Sequence, residues 1–270
     1  MSEAWHKYRK QIQLELLQLY GKRESENIAD YYIAARRGET ISSSDFSEDL
    51  KKMKDGIPIQ QIVNLSFFYG KRFFVNEHVL IPRPETEELV HWILSDHKGL
   101  DSEGTLLDIG TGSGCILLSI ISELDKIQGI GLDVSELAIS VAERNRDALG
   151  LSASFIKRDI MTENLADLPA LDIIVSNPPY ILTSEVNLMD KSTLDYEPEL
   201  ALFVEGDDPF VFYKRIIELA SVSLKPKGLL YFETSHLYSD MLQAYLEQKA
   251  LNYKHMKDLQ GRPRMLKISF

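Results

Sequence analysis

The chain has 270 residues, 44% of them hydrophobic, with 41 acidic against 30 basic side chains and a net charge of −11. That length and apolar content suffice for one large domain or two smaller ones, and the negative charge works against non-specific attachment to nucleic acid or anionic membrane. No run approaches the ~18 apolar residues of a membrane span, and Met1-Ser2-Glu3-Ala4-Trp5 lacks a signal-peptide pattern, so the expectation is a cytoplasmic protein without membrane attachment.

In chain order, Trp5, Tyr8, Ile12, Leu16 and Tyr20 recur at steps of three and four and predict an amphipathic helix closed by Gly21. A second helix is expected over Ser25 to Arg37, ended by Gly38, and a third from a cap at Ser43-Ser44-Asp45 to about Met53. Pro58 to Val63 allows one further turn. Residues 1–62 supply no catalytic groups, and their aromatic stripes suit a core, so they predict a small helical domain. From Ser66 to Pro82 the period shifts towards two, with a Gly70-Lys71 turn and Val79-Leu80-Ile81 as a later extended run. This predicts a β-hairpin linker over 63–82. Pro82-Arg83-Pro84-Glu85 then opens a helix that continues through His91-Trp92-Ile93-Leu94.

Beyond Thr105, apolar strand patterns alternate with helical ones. Strands are expected at Leu106–Ile109, Gln128–Asp133, Ala153–Lys157, Asp172–Ser176, Gly228–Glu233 and within Arg264–Ser269, and helices at Gly114–Ser122, Glu136–Leu149, Pro209–Ser223 and Tyr238–Lys249. That alternation predicts an α/β fold, a Rossmann-like doubly wound and mostly parallel sheet over 83–270.

Two stretches carry chemistry. After the first strand, Asp108-Ile109-Gly110-Thr111-Gly112-Ser113-Gly114 places glycines at alternate positions directly before a helix, where the backbone can turn tightly and approach a ligand. Dinucleotide-binding loops space their glycines as G-x-G-x-x-G; the G-x-G-x-G here favours an adenosyl ligand without pyrophosphate. Asp133, ending the second strand, stands where a carboxylate would accept both ribose hydroxyls, and Asp159 with Ile160 would lie by the adenine. A plain helix cap is the alternative for Asp133. The second stretch is Asn177-Pro178-Pro179-Tyr180, where an apolar strand stops in a stiff loop. An amide, a rigid carbonyl and an aromatic ring there suit one planar group. The Asn177 oxygen and the Pro178 carbonyl can accept both N–H bonds of a primary amide, and Tyr180 can stack on it. The lone Cys115 lies in an apolar helical pattern and reads as a packed side chain, and the six histidines have no metal-ligand spacing, so no metal is expected.

With Asp108 to Gly114, Asp133, Asp159 and Asn177 to Tyr180 in this order, the chain resembles class I S-adenosylmethionine-dependent methyltransferases of the amino-methylating kind. Leu80-Ile81-Pro82-Arg83-Pro84-Glu85-Thr86-Glu87, Tyr196-Glu197-Pro198-Glu199-Leu200-Ala201-Leu202 and Lys257-Asp258-Leu259-Gln260-Gly261-Arg262 narrow this. They resemble the peptide chain release factor glutamine methyltransferases, the HemK or PrmC family, over essentially the whole chain. The segments Gln61-Ile62-Val63-Asn64, Asp208-Pro209-Phe210 and Thr234-Ser235-His236 depart from that family's usual pattern.

The resemblance implies transfer of a methyl group from S-adenosyl-L-methionine, leaving S-adenosyl-L-homocysteine. The acceptor would be the glutamine side-chain nitrogen in the Gly-Gly-Gln motif of class 1 release factors, with the helical domain helping to hold that protein. Asn177, Pro178 and Tyr180 would be catalytic, with Pro179 also in the substrate site. Gly110, Thr111, Gly112, Ser113, Gly114, Asp133, Asp159, Ile160 and Asn177 would bind the cofactor. Glu197 is either an assistant to proton loss or part of an ion pair. Amino-methylation of a nucleic-acid base is the nearest rival, since the same motif grips an exocyclic amine, but net charge and the lack of a basic recognition segment oppose it. A nicotinamide-dependent oxidoreductase or a non-catalytic docking protein on the same fold is opposed by the glycine spacing and the intact amide motif. A monomer without direct nucleic-acid partners is expected.

Overall fold

The computed structural model describes residues 3–98, 103–188 and 191–270; of residues 187, 188 and 191 it describes the backbone alone. Helix α1 (Glu3–Ala35) contains both expected N-terminal helices, kinked where Gly21 sits at φ 73° and ψ 175°. Helix α2 (Ser43–Lys54) is capped by Ser42, one residue before the expected cap, its hydroxyl accepting the Asp45 N–H. With the single turn of α3 (Ile59–Ile62) these bury Ile12, Leu16, Ala29, Tyr32, Phe46, Leu50 and Met53 in a core of their own.

Strands β1 (Ser66–Phe68) and β2 (Lys71–Phe73) form the expected hairpin, but its turn is Tyr69-Gly70, both at positive φ, one residue earlier than the sequence reading placed it. The hairpin also ends at Phe73. Val79 and Ile81 lie in no strand and are buried by packing instead. Helix α4 (Pro84–Asp96) has its proline in the first turn with Glu85 and Glu87, where the helix dipole favours acids.

The remaining elements are β3 (Gly104–Ile109), α5 (Cys115–Ile121), β4 (Ile127–Asp133), α6 (Glu136–Leu149), β5 (Ala153–Lys157) and β6 (Leu171–Ser176). They continue with β7 (Ile181–Leu182), α7 (Lys191–Tyr196), α8 (Glu199–Leu202), β8 (Phe203–Val204), α9 (Val211–Ser223), β9 (Leu224–Glu233), α10 (Ser239–Gln248), β10 (Asn252–Lys257) and β11 (Pro263–Ser269). Seven strands form one sheet in the order β10-β11-β9-β6-β3-β4-β5. The strands from β5 to β9 are parallel, and β11 and β10 extend the sheet antiparallel. Strand β10 escaped the sequence reading because an edge strand facing solvent, here Asn-Tyr-Lys-His-Met-Lys, carries little apolar signal.

The chain leaves β3 towards β4 and β5, then returns to add β6 and β9 on the other side. The order therefore reverses at β3/β6, and the crevice for a ligand lies beyond the carboxyl ends of those strands. Both expected chemical stretches begin there. Gly131 on β4 shows how tightly this end is built, since an added Cβ would stand 2.5 Å from the Phe155 ring and 3.0 Å from the Thr111 hydroxyl oxygen. Gly131→Ala is expected to destabilise the fold by about 1–3 kcal/mol, measured by denaturant unfolding, and to weaken cofactor affinity through Thr111.

Candidate active site

The glycine loop is fixed from below. Gly110, Gly112 and Gly114 take φ values of 73°, 54° and 77°, a region that favours glycine, so the alternate spacing is a backbone requirement. The Gly110 and Thr111 N–H groups both donate to the Leu132 carbonyl at 2.9 Å, tying the loop to β4. On the far side Asn145 of α6, only 1% exposed, donates to the Ser113 carbonyl at 2.8 Å and exchanges hydrogen bonds with the Phe74 backbone. One buried amide thus joins the loop to the linker that follows β2.

Asp108 lies beneath this loop, fully buried, with Thr111 Oγ1 donating to its Oδ2 at 2.7 Å. Burial pushes its carboxyl up to about 7, the Thr111 hydroxyl and the Leu117 backbone N–H offsetting part of that. Asp133 ends β4. Its Oδ2 accepts the Gly112 N–H and its Oδ1 the Ser135 N–H, each at 2.9 Å. Those bonds fix the carboxylate and leave further lone pairs for a ligand's hydroxyls. Burial raises its pKa, opposed by the same backbone donors.

Gly110, Thr111, Gly112, Ser113, Asp133, Asp159, Ile160, Asn177, Pro178 and Pro179 line a single cavity of about 470 Å³. That size is ordinary for a small-molecule site. Gly114 does not line it. Gly114 precedes α5, and its Cα faces Leu118, Ala142 and Phe155, so its value lies in packing and positive φ. Tyr180 does not line it either. Its half-buried ring packs against the main core, and burial, followed by the charge of Glu233, pushes its hydroxyl up to about 12. Asp159 uses its carboxylate on its own loop, accepting from the Met161 N–H and the Thr162 hydroxyl, while Arg215 holds the Ile160 and Glu163 carbonyls.

Asn177 follows β6, which Ser176 locks to β3 by donating to the Ile109 carbonyl at 2.7 Å. Pro178 is buried and Asn177 half-buried. The Asn177 side-chain amide has no hydrogen-bond partner among the described residues, so its polar atoms remain available to whatever enters the cavity.

The mouth contains residues that the sequence reading left out of the site. His78, Val79, Leu80, Pro82, Arg83 and Thr86 come from the linker and the start of α4, and Pro198, Leu200, Ala201 and Glu205 from around α8. Phe212 and Ile216 come from α9. Glu197, 5% exposed, joins the first two groups by accepting from Arg83 Nη2 at 2.6 Å and from the Ile81 N–H at 3.1 Å. With these partners Glu197 is a latch across 114 residues, the ion-pair alternative of the sequence reading. An arginine between two prolines was the available signal; its partner lay too far along the chain to be paired by pattern. Cys115 also lines the cavity, but burial raises its thiol to about 12, which removes the thiolate a nucleophile needs. Among the described residues no cluster of three His, Cys, Asp or Glu side chains could hold a metal, and no helix is long and apolar enough to cross a membrane.

A reversal of strand order, a glycine loop under an open cavity and a carboxylate at the end of the next strand define a class I S-adenosylmethionine-dependent methyltransferase. A family profile described as a methyltransferase domain matches residues 100–266. The fold also resembles that of the catalytic domain of hMettl16, at 17% identity and a TM-score of 0.58, covering 90% of this chain and 91% of that one. The chain belongs to the release factor glutamine methyltransferase family. It is 38% identical to the Flavobacterium psychrophilum protein of that name over 97% of this chain and 98% of the relative. It is 40% identical to the Bacteroides thetaiotaomicron protein, covering 80% and 77% of the two chains, and 34% identical to that of Bacillus subtilis, covering 82% and 78%.

The cavity suits the cofactor on its own terms. Asp133 would hold the ribose hydroxyls, Asp159 and Ile160 would take the adenine, and the glycine loop would allow close backbone approach. When bound, the cofactor supplies an electrophilic methyl group on a positively charged sulfur. The chain's own residues then have to orient a weak nucleophile, exclude water and accept a proton.

Proposed function

We propose that this protein methylates the side-chain amide nitrogen of the glutamine in the Gly-Gly-Gln motif of class 1 peptide chain release factors, using S-adenosylmethionine. The observation that carries this reading is the Asn177 amide, without a hydrogen-bond partner among the described residues and beside Pro178, in the same cavity as the glycine loop and Asp133. A primary amide is a poor nucleophile because its lone pair is delocalised into the carbonyl. When its two N–H groups donate to the Asn177 side-chain oxygen and the Pro178 carbonyl, the nitrogen is turned towards the methyl group and held there. The two glycines before the target glutamine carry no side chain to clash with the cavity rim, where Arg83 pairs with Glu197.

Residues 1–62 serve as the substrate-recognition domain, 63–82 as the linker and 83–270 as the methyltransferase domain. Arg72 of the linker donates to the Ala35 carbonyl of the helical domain at 2.8 Å, and Gln61 ties the helical domain directly to the methyltransferase domain by donating to the Tyr196 carbonyl beside Glu197 at 2.6 Å. The helical domain has its own groove, lined by Trp5, Arg9, Ile33, Arg37, Phe67 and Arg72. We assign this groove to the release factor's protein surface. Arg37 is exposed there and has no ion-pair partner among the described residues. Arg37→Glu is expected to raise KM for the release factor several-fold, leave kcat unchanged and flatten the salt dependence of KM, read from initial rates at varied ionic strength. The protein acts as a cytoplasmic monomer.

Intact-mass analysis of a purified release factor incubated with this protein and S-adenosylmethionine tests the reading, with a Gln→Ala change in the Gly-Gly-Gln motif as control. A gain of one methyl that vanishes in the control supports it. Unmodified release factors alongside a methylated DNA or RNA pool would transfer the site to a base amine.

A further inference from the structure

Methylating an amide leaves a proton to remove, and the obvious carboxylates are already committed. Glu197 has both oxygens bonded in the latch, Asp133 accepts two backbone N–H groups, and Asp108 lies under the glycine loop outside the cavity lining. Asp159, which also lines the cavity, bonds its own loop, and Glu205 at the mouth is exposed to solvent. A buried carboxylate at this end of the sheet remains. Ser176 pairs with Phe232, so Glu233, the next residue of β9, lies beside Asn177, the next residue after β6. Glu233 is 2% exposed, and Thr86 Oγ1 donates to its Oε2 at 2.6 Å. Thr86, itself 3% exposed, lines the cavity together with Asn177 and Pro178. A hydroxyl that donates to a carboxylate keeps its lone pairs for another donor, so Thr86 can bond to the cavity and to the buried acid at the same time.

From this arrangement we propose that Thr86 and Glu233 form the proton exit of the methyl-transfer reaction, Thr86 receiving the proton from the substrate amide nitrogen as its own proton passes to Glu233. The inference rests on the glutamine-amide reading above. The balance is simple. The nitrogen–methyl bond forms as the sulfur–methyl bond breaks with its electron pair remaining on sulfur; the N–H bond breaks, its proton goes to Thr86 Oγ1, and the Thr86 proton goes to Glu233 Oε2. The products are a neutral thioether, an N-methyl amide and a protonated Glu233, which returns its proton to water after product release.

The surroundings suit a carboxylate that takes up a proton and gives it back. Burial raises the Glu233 pKa, with Glu85 adding to the rise and Thr86, Arg264 and Arg83 opposing it. The other groups that feel its charge, Tyr180, Tyr213 and the Cys115 thiol, stay neutral, Tyr213 donating its hydroxyl to the Glu233 carbonyl at 3.0 Å. Since only ionised Glu233 accepts a proton, transfer should slow as pH falls through its raised pKa and level off above it. Thr86 touches substrate in this scheme, and Glu233 acts through Thr86.

Two measurements on the full-length protein test the relay. In single-turnover methylation of the release factor, Glu233→Gln keeps an acceptor for Thr86 and is expected to slow transfer about a hundredfold and to abolish the acid limb of the pH profile. Thr86→Val should do the same and Thr86→Ser should restore most of the rate, with cofactor affinity unchanged in all three. In the cofactor-free protein, the infrared band of the protonated Glu233 carboxyl should titrate above the ordinary carboxylate range and shift in Thr86→Val. Wild-type rates and pH profile in Glu233→Gln, or a band that titrates like an exposed carboxylate and ignores Thr86→Val, would overturn the relay. A wild-type protein that leaves the release factor unmethylated overturns the substrate reading instead, and the infrared result then decides the relay by itself.

Discussion

Replacing Asn177 with alanine is expected to lower the rate of methyl transfer at least about a hundredfold, the loss typical of one preorganised polar contact at a reacting centre. Cofactor affinity should change little. The Asn177 side chain has no hydrogen bond to the described chain, so truncating it removes no support from the glycine loop, which hangs on Leu132, Asp133 and Asn145. The position is held by the backbone, through two following prolines and the Ser176 bond to Ile109, and the fold should tolerate the change. Asn177→Asp keeps an acceptor oxygen in nearly the same place and should retain more activity than the alanine variant. Single-turnover rates beside calorimetric titration of S-adenosylmethionine separate the two quantities. Equal loss of rate and cofactor affinity would place Asn177 in cofactor binding.

Much of this site was legible in the sequence because it is built from backbone-directed residues. Glycines at alternate positions are needed where φ is positive, and prolines stop a central strand, so the loop and the end of β6 were readable from residue type and order. Strand alternation located the parallel core for the same local reason. Contacts between distant segments were not readable. Nothing near Thr86 in the chain indicates Glu233, 147 residues away, and nothing near Arg83 indicates Glu197. Side-chain direction was also out of reach. The sequence reading has Tyr180 stacking on the substrate and Gly114 against the cofactor; residue type alone did not show that the half-buried Tyr180 ring also packs against the core, or that Gly114 faces Leu118, Ala142 and Phe155. The hairpin reading ran too far because Val79 and Ile81 look like strand residues; their burial against other elements comes from tertiary packing that a period of two cannot distinguish.

Asp133→Ala should produce the opposite pattern to Asn177→Ala, a large loss of cofactor affinity with the fold retained. Two effects combine. The ribose hydroxyls lose a charged acceptor, and the Gly112 and Ser135 N–H groups lose the carboxylate that holds them at 2.9 Å, so the loop is less ordered before the cofactor arrives. Hydrogen bonds to a charged partner are worth about 1.5–3 kcal/mol each, so Kd is expected to rise roughly a hundredfold. Asp133→Asn keeps one acceptor oxygen and should fall between wild type and alanine. The sign of the pH dependence follows from the ionised form being the one that accepts hydroxyl donors. Because burial raises the Asp133 pKa, affinity should weaken as pH is lowered through that raised value, whereas Asp133→Asn should lack this slope. Calorimetric titrations of S-adenosylmethionine across pH measure both. At saturating cofactor Asp133→Ala should recover most of its single-turnover rate, since Asn177, Pro178 and Thr86 are untouched; a rate that stays low at saturation would mean that Asp133 also sets the position of the methyl group.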